Sequence, residues 1–230
     1  MKQLTDHLYQ ISLGPVNAFV VEDQGLTLID TGLPGSADKL LAAIKKSGKN
    51  PDDIQRILLT HWHPDHAGSA AELKRRTRVR LYAHAADAPI LGQGDGSSRP
   101  QHLTPGLLNW LVFQLFIKRT SPLIPAVQVD EQLADGDVLP IAGGLRVIHT
   151  PGHSKGHIAL LLEQEGVLIA GDLCANLPSL GYSTVYEDRA LGQQSILKAA
   201  AFPFDKAVFG HGTMLQPAAS QKMQAKFREA

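Results

Sequence analysis

Residues 58–68 read LLTHWHPDHAG, an apolar run followed by three histidines and an aspartate inside the six positions 61–66. His61 and His63 are two apart directly behind a strand-like stretch, so an extended backbone turns both rings to one side, where they can grip one ion. Pro64 then bends the chain, and Asp65 and His66 open the next element, aimed at a second point. A solvated loop that merely happens to be rich in histidine is the competing reading. Zinc takes about four ligands, so this loop cannot complete a site alone. The two readings separate on whether other strand ends supply the missing donors.

They do. HTPGHSKGH (149–157) offers His153 after a Pro-Gly turn, IAGDLC (169–174) offers Asp172, and VFGHG (208–212) offers His211 between two glycines, each behind an apolar run. Two sites of nitrogen and oxygen donors can then be completed. His61, His63 and His153 surround one ion, Asp65, His66 and His211 the other, and Asp172, with its two carboxylate oxygens, can bridge them. His157 reads as a residue at a strand start, satisfied by backbone, because the donors are already assigned. Asp30, closing LTLID (26–30), reads either as a turn or cap acid or as a group that orients a ligand histidine from behind. Tyr182 and Tyr186 follow Asp172 in a loop, where a phenol could bind a substrate carbonyl or oxyanion, although such rings are commonly just packed. His7, His84, His102 and His149 are read as structural or surface residues.

The rest of the chain alternates short β-branched runs with stretches of helical spacing. Residues 8–12, 17–22, 26–30, 54–60, 78–84, 144–150, 157–163, 166–172 and 206–212 read as strands. Residues 35–48, with Ser36 as the N-cap, and 66–76, 188–201 and the tail from Pro217 read as helices. This alternation is α/β. A short echo, GLTLIDTG (25–32) against GVLIAGDL (166–173), is consistent with two βα halves facing each other. One domain over 1–230 is expected, with a helical insertion at about 87–130.

That insertion breaks the pattern. Between Leu107 and Ile117 only Asn109 and Gln114 are polar, and eleven residues are too few for a bilayer, which needs about 20. A helix apolar nearly all round is ordinarily buried in a core. The other readings are a lid, with Trp110, Phe113 and Phe116 on one face meeting the apolar part of a substrate, and a homodimer face.

Composition narrows the function. Lys plus Arg and Asp plus Glu both number 22, so no bulk field gathers nucleic acid, and no nucleic-acid partner is expected. A single cysteine, Cys174, excludes an internal disulfide framework, and the polar start MKQLTDHLYQ lacks a signal-peptide run. A cytoplasmic protein acting on a small molecule is expected.

HWHPDH, followed in order by His153, Asp172 and His211 and preceded by Asp30, resembles the metal positions of the metallo-β-lactamase superfamily. The likeness is to its hydrolase branch of glyoxalase II-like thioesterases and lactonases, over about residues 8–212. The resemblance implies a four-layer αβ/βα sandwich of two mixed sheets flanked by helices, with the metals at one edge. It implies two divalent ions, zinc first with iron or manganese as alternatives. Such a pair lowers the pKa of a bridging water, giving a hydroxide that cleaves an ester, thioester or lactone carbonyl with an apolar portion. Asp65 is the acid placed to orient that nucleophile and carry its proton. Two other chemistries of the superfamily remain open: a mononuclear-iron persulfide dioxygenase and a phosphodiesterase or nuclease.

Overall fold

The strands Asn17–Glu22 and Ile158–Leu162 are apolar on both faces, and a strand of that kind must be covered on both sides. The computed structural model, which describes residues 1–228, covers them with a second sheet on one side and helices on the other. The first sheet has seven strands. Lys2–Gln3, Leu8–Ser12, Asn17–Glu22 and Leu26–Ile29 form an antiparallel meander, and Ile54–Leu58, Arg80–His84 and Glu131–Leu133 continue it in parallel. The second orders Lys206–Val208, Val167–Ile169, Ile158–Leu162, Leu145–His149 and Val138–Leu139, antiparallel except for the first pair. Both sheets are therefore mixed, as expected.

Side-chain parity sorts the core into three slabs. Val20 and Leu28 point outward to Leu40 and Ile44 of the helix Ala37–Lys46 and to Leu73 of Ala70–Thr77. Their neighbours Phe19, Val21 and Ile29 point inward, where they share a buried cluster with Val147, Leu160 and Ile169 of the second sheet. Ile148, Leu161 and Leu168 face outward again, against Ile196 of Arg189–Ala200 and Met223 and Phe227 of Ala219–Arg228. Helix, sheet, sheet and helix thus form the four-layer α/β sandwich.

Local departures have local causes. The helix expected over 66–76 is two helices, Pro64–Ala67 and Ala70–Thr77. Between them Gly68 lies so close to Pro34 that a Cβ would sit 2.4 Å from its ring. Ser36 stands at the N-cap position but its side chain makes no cap bond; its N–H instead donates to Ser69 Oγ at 2.8 Å. A side-chain cap is made instead by Asp188, which accepts from Leu191 N at 3.0 Å.

The largest correction concerns the apolar run. It is helical, as Leu107–Val112 followed by a π-helical turn Phe113–Ile117, but it is not a core helix: Leu107 is 75% and Phe116 60% exposed. The segments around it are fixed. Ile90 and Leu91 of Ala88–Gln93, together with Ile124 and Val127, join the outer core of the first sheet. His102–Leu103 pairs with Val185–Tyr186. The π turn also breaks the three-residue spacing, so Phe113 is half-buried while Trp110 and Phe116 are exposed. The three aromatic rings do not share the one face that spacing implied.

Candidate metal centre

An inner strand of the first sheet, Ile54–Leu58, runs out into Thr60, and the histidine loop follows. Pro64 starts the short helix Pro64–Ala67, where its missing N–H is no loss. That start holds His63 just before the helix and carries Asp65 and His66 on its first turn. The second sheet brings the other donors to the same edge. His153 lies in the loop between its strands Leu145–His149 and Ile158–Leu162, Asp172 follows Val167–Ile169, and His211 follows Lys206–Val208.

All seven proposed ligands meet there. Donor atoms of His61, His63 and His153 lie within 4.8 Å of one another, as do those of Asp65, His66 and His211, and those of His61, His66 and Asp172. His63 Nδ1 is 2.9 Å from His153 Nε2. Asp172 stands between the groups: Oδ2 is 3.6 Å from His153 Nε2 and 3.2 Å from His211 Nε2, and Oδ1 is 3.4 Å from His66 Nε2. Asp65 Oδ2 is 3.2 Å from His211 Nε2 and 3.8 Å from His66 Nε2. Gly210 keeps the space open, since a Cβ there would lie 2.2 Å from Asp172 Oδ1.

The hydrogen bonds behind these rings aim them. His61 Nδ1 bonds Thr60 Oγ1 at 3.0 Å, His66 Nδ1 bonds Asp30 Oδ2 at 2.9 Å, His153 Nδ1 bonds Val185 O at 2.8 Å and His211 Nδ1 bonds Pro15 O at 2.8 Å. Each acceptor fixes the proton on Nδ1 and leaves Nε2 facing the shared space. His61 Nε2, His66 Nε2 and Asp172 Oδ1 are buried there with no hydrogen-bond partner. Such orphaned polar atoms cost free energy unless something else satisfies them. A nitrogen and oxygen donor set of this kind fits zinc or a similar divalent ion.

Asp30 adopts a left-handed backbone (φ 60°), which turns its carboxylate beneath the loop. There it accepts from Thr60 N at 2.8 Å, Thr60 Oγ1 and His66 Nδ1, which orients the His66 ring from behind. His157 lies outside the three donor groups. Its Nε2 accepts from Asp172 N at 3.0 Å and its Nδ1 donates to Thr150 Oγ1 at 2.8 Å.

Charge is balanced inside the cluster. Burial, followed by the neighbouring His153, pushes His63 down to about 3. His66 behaves oppositely: burial pulls against protonation, but Asp172, Asp65 and Asp30 together raise it to about 9. Burial would lift the carboxyl of Asp172, yet His211 and His66 hold it well below the ordinary carboxylate range. A divalent ion held by this cluster would take the place of protons, so loading would release them.

Asp87 was missed from sequence. It is 1% exposed and accepts from Trp62 N at 3.1 Å, Ser154 Oγ at 3.0 Å and Gly156 N at 2.8 Å. Trp62 lies between His61 and His63, and Ser154 follows His153, so one carboxylate clips together the two loops that carry that histidine group. Burial, the largest influence on it, raises its pKa to about 7. HAADAPIL (84–91) reads as a helix cap, and Asp87 does hold the N-cap position, but its carboxylate is turned inward and makes no cap bond.

One tyrosine assignment needs correction. Tyr186 is fully buried, its hydroxyl donates to Leu173 O at 2.8 Å and accepts from Ser183 N at 3.1 Å, and its ring packs edge-on to His153. Nothing remains for a substrate, so the residue is part of the wall. Tyr182 packs edge-on to Phe227, on the side of the outer helices. The helix that carries Trp110, Phe113 and Phe116 is tied to the centre through its stem, because Val185, which holds His153, pairs with Leu103.

Known proteins resemble this chain along most of its length. The chain is 31% identical to the uncharacterized Bacillus subtilis protein YobT over 93% of its own length and 90% of that protein. It is 30% identical to a hydroxyacylglutathione hydrolase of Rhodopseudomonas palustris over 76% of its length and 54% of that enzyme. Among solved structures, BJP-1, a subclass B3 metallo-β-lactamase of Bradyrhizobium japonicum, superposes with a TM-score of 0.73 at 25% identity, covering 99% of this chain and 90% of that one. A metallo-β-lactamase family protein of Thermus thermophilus gives 0.74 at 24% identity, with 99% and 81% covered. The family model described as the metallo-beta-lactamase superfamily matches residues 11–211, and the chain belongs to that superfamily of metallo-hydrolases.

Proposed function

We propose that this protein hydrolyses the carbonyl of an ester, thioester or lactone with an apolar portion, using two divalent metal ions, zinc in the first place. The observation that carries the reading is the set of four imidazoles, each tied at Nδ1 and facing one shared space, with Asp172 between the two donor groups. When bound, the ions lower the pKa of a water towards neutrality and polarise the carbonyl. The protein's part is to hold that geometry and move a proton. His61, His63 and His153 would hold one ion and Asp65, His66 and His211 the other, with Asp172 placed between the two groups. Asp65, like His211 beside it, is partly exposed, which leaves its carboxylate open both to the cluster and to an entering molecule. Without metal, burial would raise its pKa but the charges of His66 and His211 hold it low; ions in place of those protons would likewise keep it a carboxylate, the form that can take a proton from the nucleophile. Relatives named hydroxyacylglutathione hydrolase favour the thioester within this class.

The test begins with elemental analysis of protein purified without added metal, where two zinc ions per chain are expected. Turnover follows on a panel of lactones, thioesters, β-lactams and phosphodiesters, before and after exhaustive chelation. Asp65→Asn keeps the volume and removes the proton acceptor, so turnover falls by at least about a hundredfold. Full activity after chelation overturns the reading. One iron per chain with oxygen consumption on persulfides replaces it by the dioxygenase, and turnover confined to phosphodiesters by the nuclease.

A further inference from the structure

The apolar helix is the part of the molecule that the metal chemistry does not absorb. Leu107, Leu108, Trp110, Leu111, Leu115 and Phe116 are each at least 40% exposed on one short element. Scattered apolar residues on a surface need no explanation, but a contiguous patch of this kind marks a contact with something else. We propose that this helix is a docking surface for an anionic lipid interface, beside the metal centre.

Charge selects this occupant over a second copy of the chain. The chain as a whole is neutral, yet between Asp95 and Asp130 there is no aspartate or glutamate. Lys118 and Arg119 follow the helix directly and are exposed, and no carboxylate pairs with either among the described residues. A second copy would bring the same acid-free segment and leave those cations facing each other's kind. Anionic headgroups supply the missing charge, and acyl chains cover the apolar side chains. No helix among the described residues is long and apolar enough to cross a membrane, so this one would lie in the interface. Trp110 suits that depth, since its ring is apolar with one polar edge.

Attachment gives the docking a consequence. The strand His102–Leu103 leads into the helix and pairs with Val185–Tyr186, and Thr104 Oγ1 donates to Ser183 O at 2.7 Å. Val185 O is the acceptor for His153 Nδ1. The docking helix and the metal centre therefore share a stem, which sets the centre at the lipid boundary. The docking itself does not depend on which reaction the centre performs.

The chain has two tryptophans, and Trp62 is fully buried, so fluorescence isolates Trp110. The protein is mixed with vesicles of phosphatidylcholine alone or with one third phosphatidylglycerol. The anionic vesicles are expected to shift its emission to the blue and to co-sediment it, with binding weakened by salt. At about a factor of five per cation, Lys118→Gln/Arg119→Gln binds about thirtyfold more weakly. Leu107→Ser/Leu115→Ser loses binding while melting temperature and metal content hold, because those side chains are outside the core. Trp110→Phe loses the spectral shift and keeps sedimentation. Three results overturn the proposal: no binding to anionic vesicles at low salt; Trp110 emission already blue without vesicles in a dimer seen by sizing chromatography; or a shift on adding a soluble acyl thioester but none on adding vesicles.

Discussion

Two short stretches of this chain invert the usual placement of residues, in opposite directions. In 61–66, His61, His63 and His66 are 6% exposed or less, although histidine is ordinarily at least partly wet; in 107–117, leucine, tryptophan and phenylalanine stand in solvent. Neither placement is stable on its own account. The buried donors leave Nε2 atoms without partners, and the exposed helix leaves apolar area in water. Each points to something that completes it, an ion in one case and an apolar surface in the other. What differs is how well the surroundings hold them. His61 and His66 are clamped from behind by Thr60 and Asp30, as their neighbours His153 and His211 are by Val185 and Pro15, whereas the helix is tied to the sandwich through its stem.

The contrast breaks most visibly in stability. Leu160 lies between the sheets with no exposure, so Leu160→Ala leaves a cavity and costs about 2 to 5 kcal/mol. Leu107→Ala removes a side chain of the same size from water, and such surface changes stay within about 0.5 kcal/mol. Denaturant unfolding of the two variants measures the difference. Equal losses would mean that the helix is packed in solution and that the contrast is false.

A smaller effect separates clamping from ligation. Asp87 touches no proposed ligand side chain but joins the backbone and hydroxyl groups next to His61, His63 and His153. Loss of such support typically costs about ten- to a hundredfold in metal affinity. Asp87→Ala is therefore expected to weaken zinc binding in chelator competition by that factor. Asp87→Asn, which keeps one acceptor oxygen, should recover part of it. Unchanged affinity in the alanine variant would show that the loops hold their own shape.

How much of this was legible follows from what constrains each residue. Metal chemistry accepts few residue types, so a histidine or aspartate at a strand end is informative, and His153, Asp172 and His211 could be gathered across about 150 residues from type and position. Sheet faces were legible for a similar reason: parity sends Val20 one way and Val21 the other. Hydrogen-bonding roles were not. Asp87 as cap and Asp87 as clip look identical in HAADAPIL, and Tyr186 as ligand binder and Tyr186 as wall differ only in where a hydroxyl ends. The apolar run shows the same limit, because periodicity fixes a helix but says nothing of what covers it.

The smallest expected effect concerns a histidine pair at neither extreme. His84 ends a strand of the first sheet and His149 a strand of the second, and their rings stack at 3.9 Å with 9° between planes. His84 Nδ1 accepts from Ala86 N at 3.1 Å. Burial, followed by the neighbouring His149, lowers its pKa to about 4, against about 6.5 in an unfolded chain. The native state therefore favours the neutral ring. As pH falls from about 6.5 to 4, the unfolded chain takes up a proton at this position before the native one does, so stability is lost across that window and the loss levels off below it. His84→Asn keeps an acceptor near Ala86 N and removes the titration. Melting temperature followed from pH 7 to 4, in metal-free samples of both proteins, should fall less steeply in the variant. The buried histidines of the metal loop are common to both and cancel in the difference, so parallel profiles would show that His84 does not titrate as a buried group.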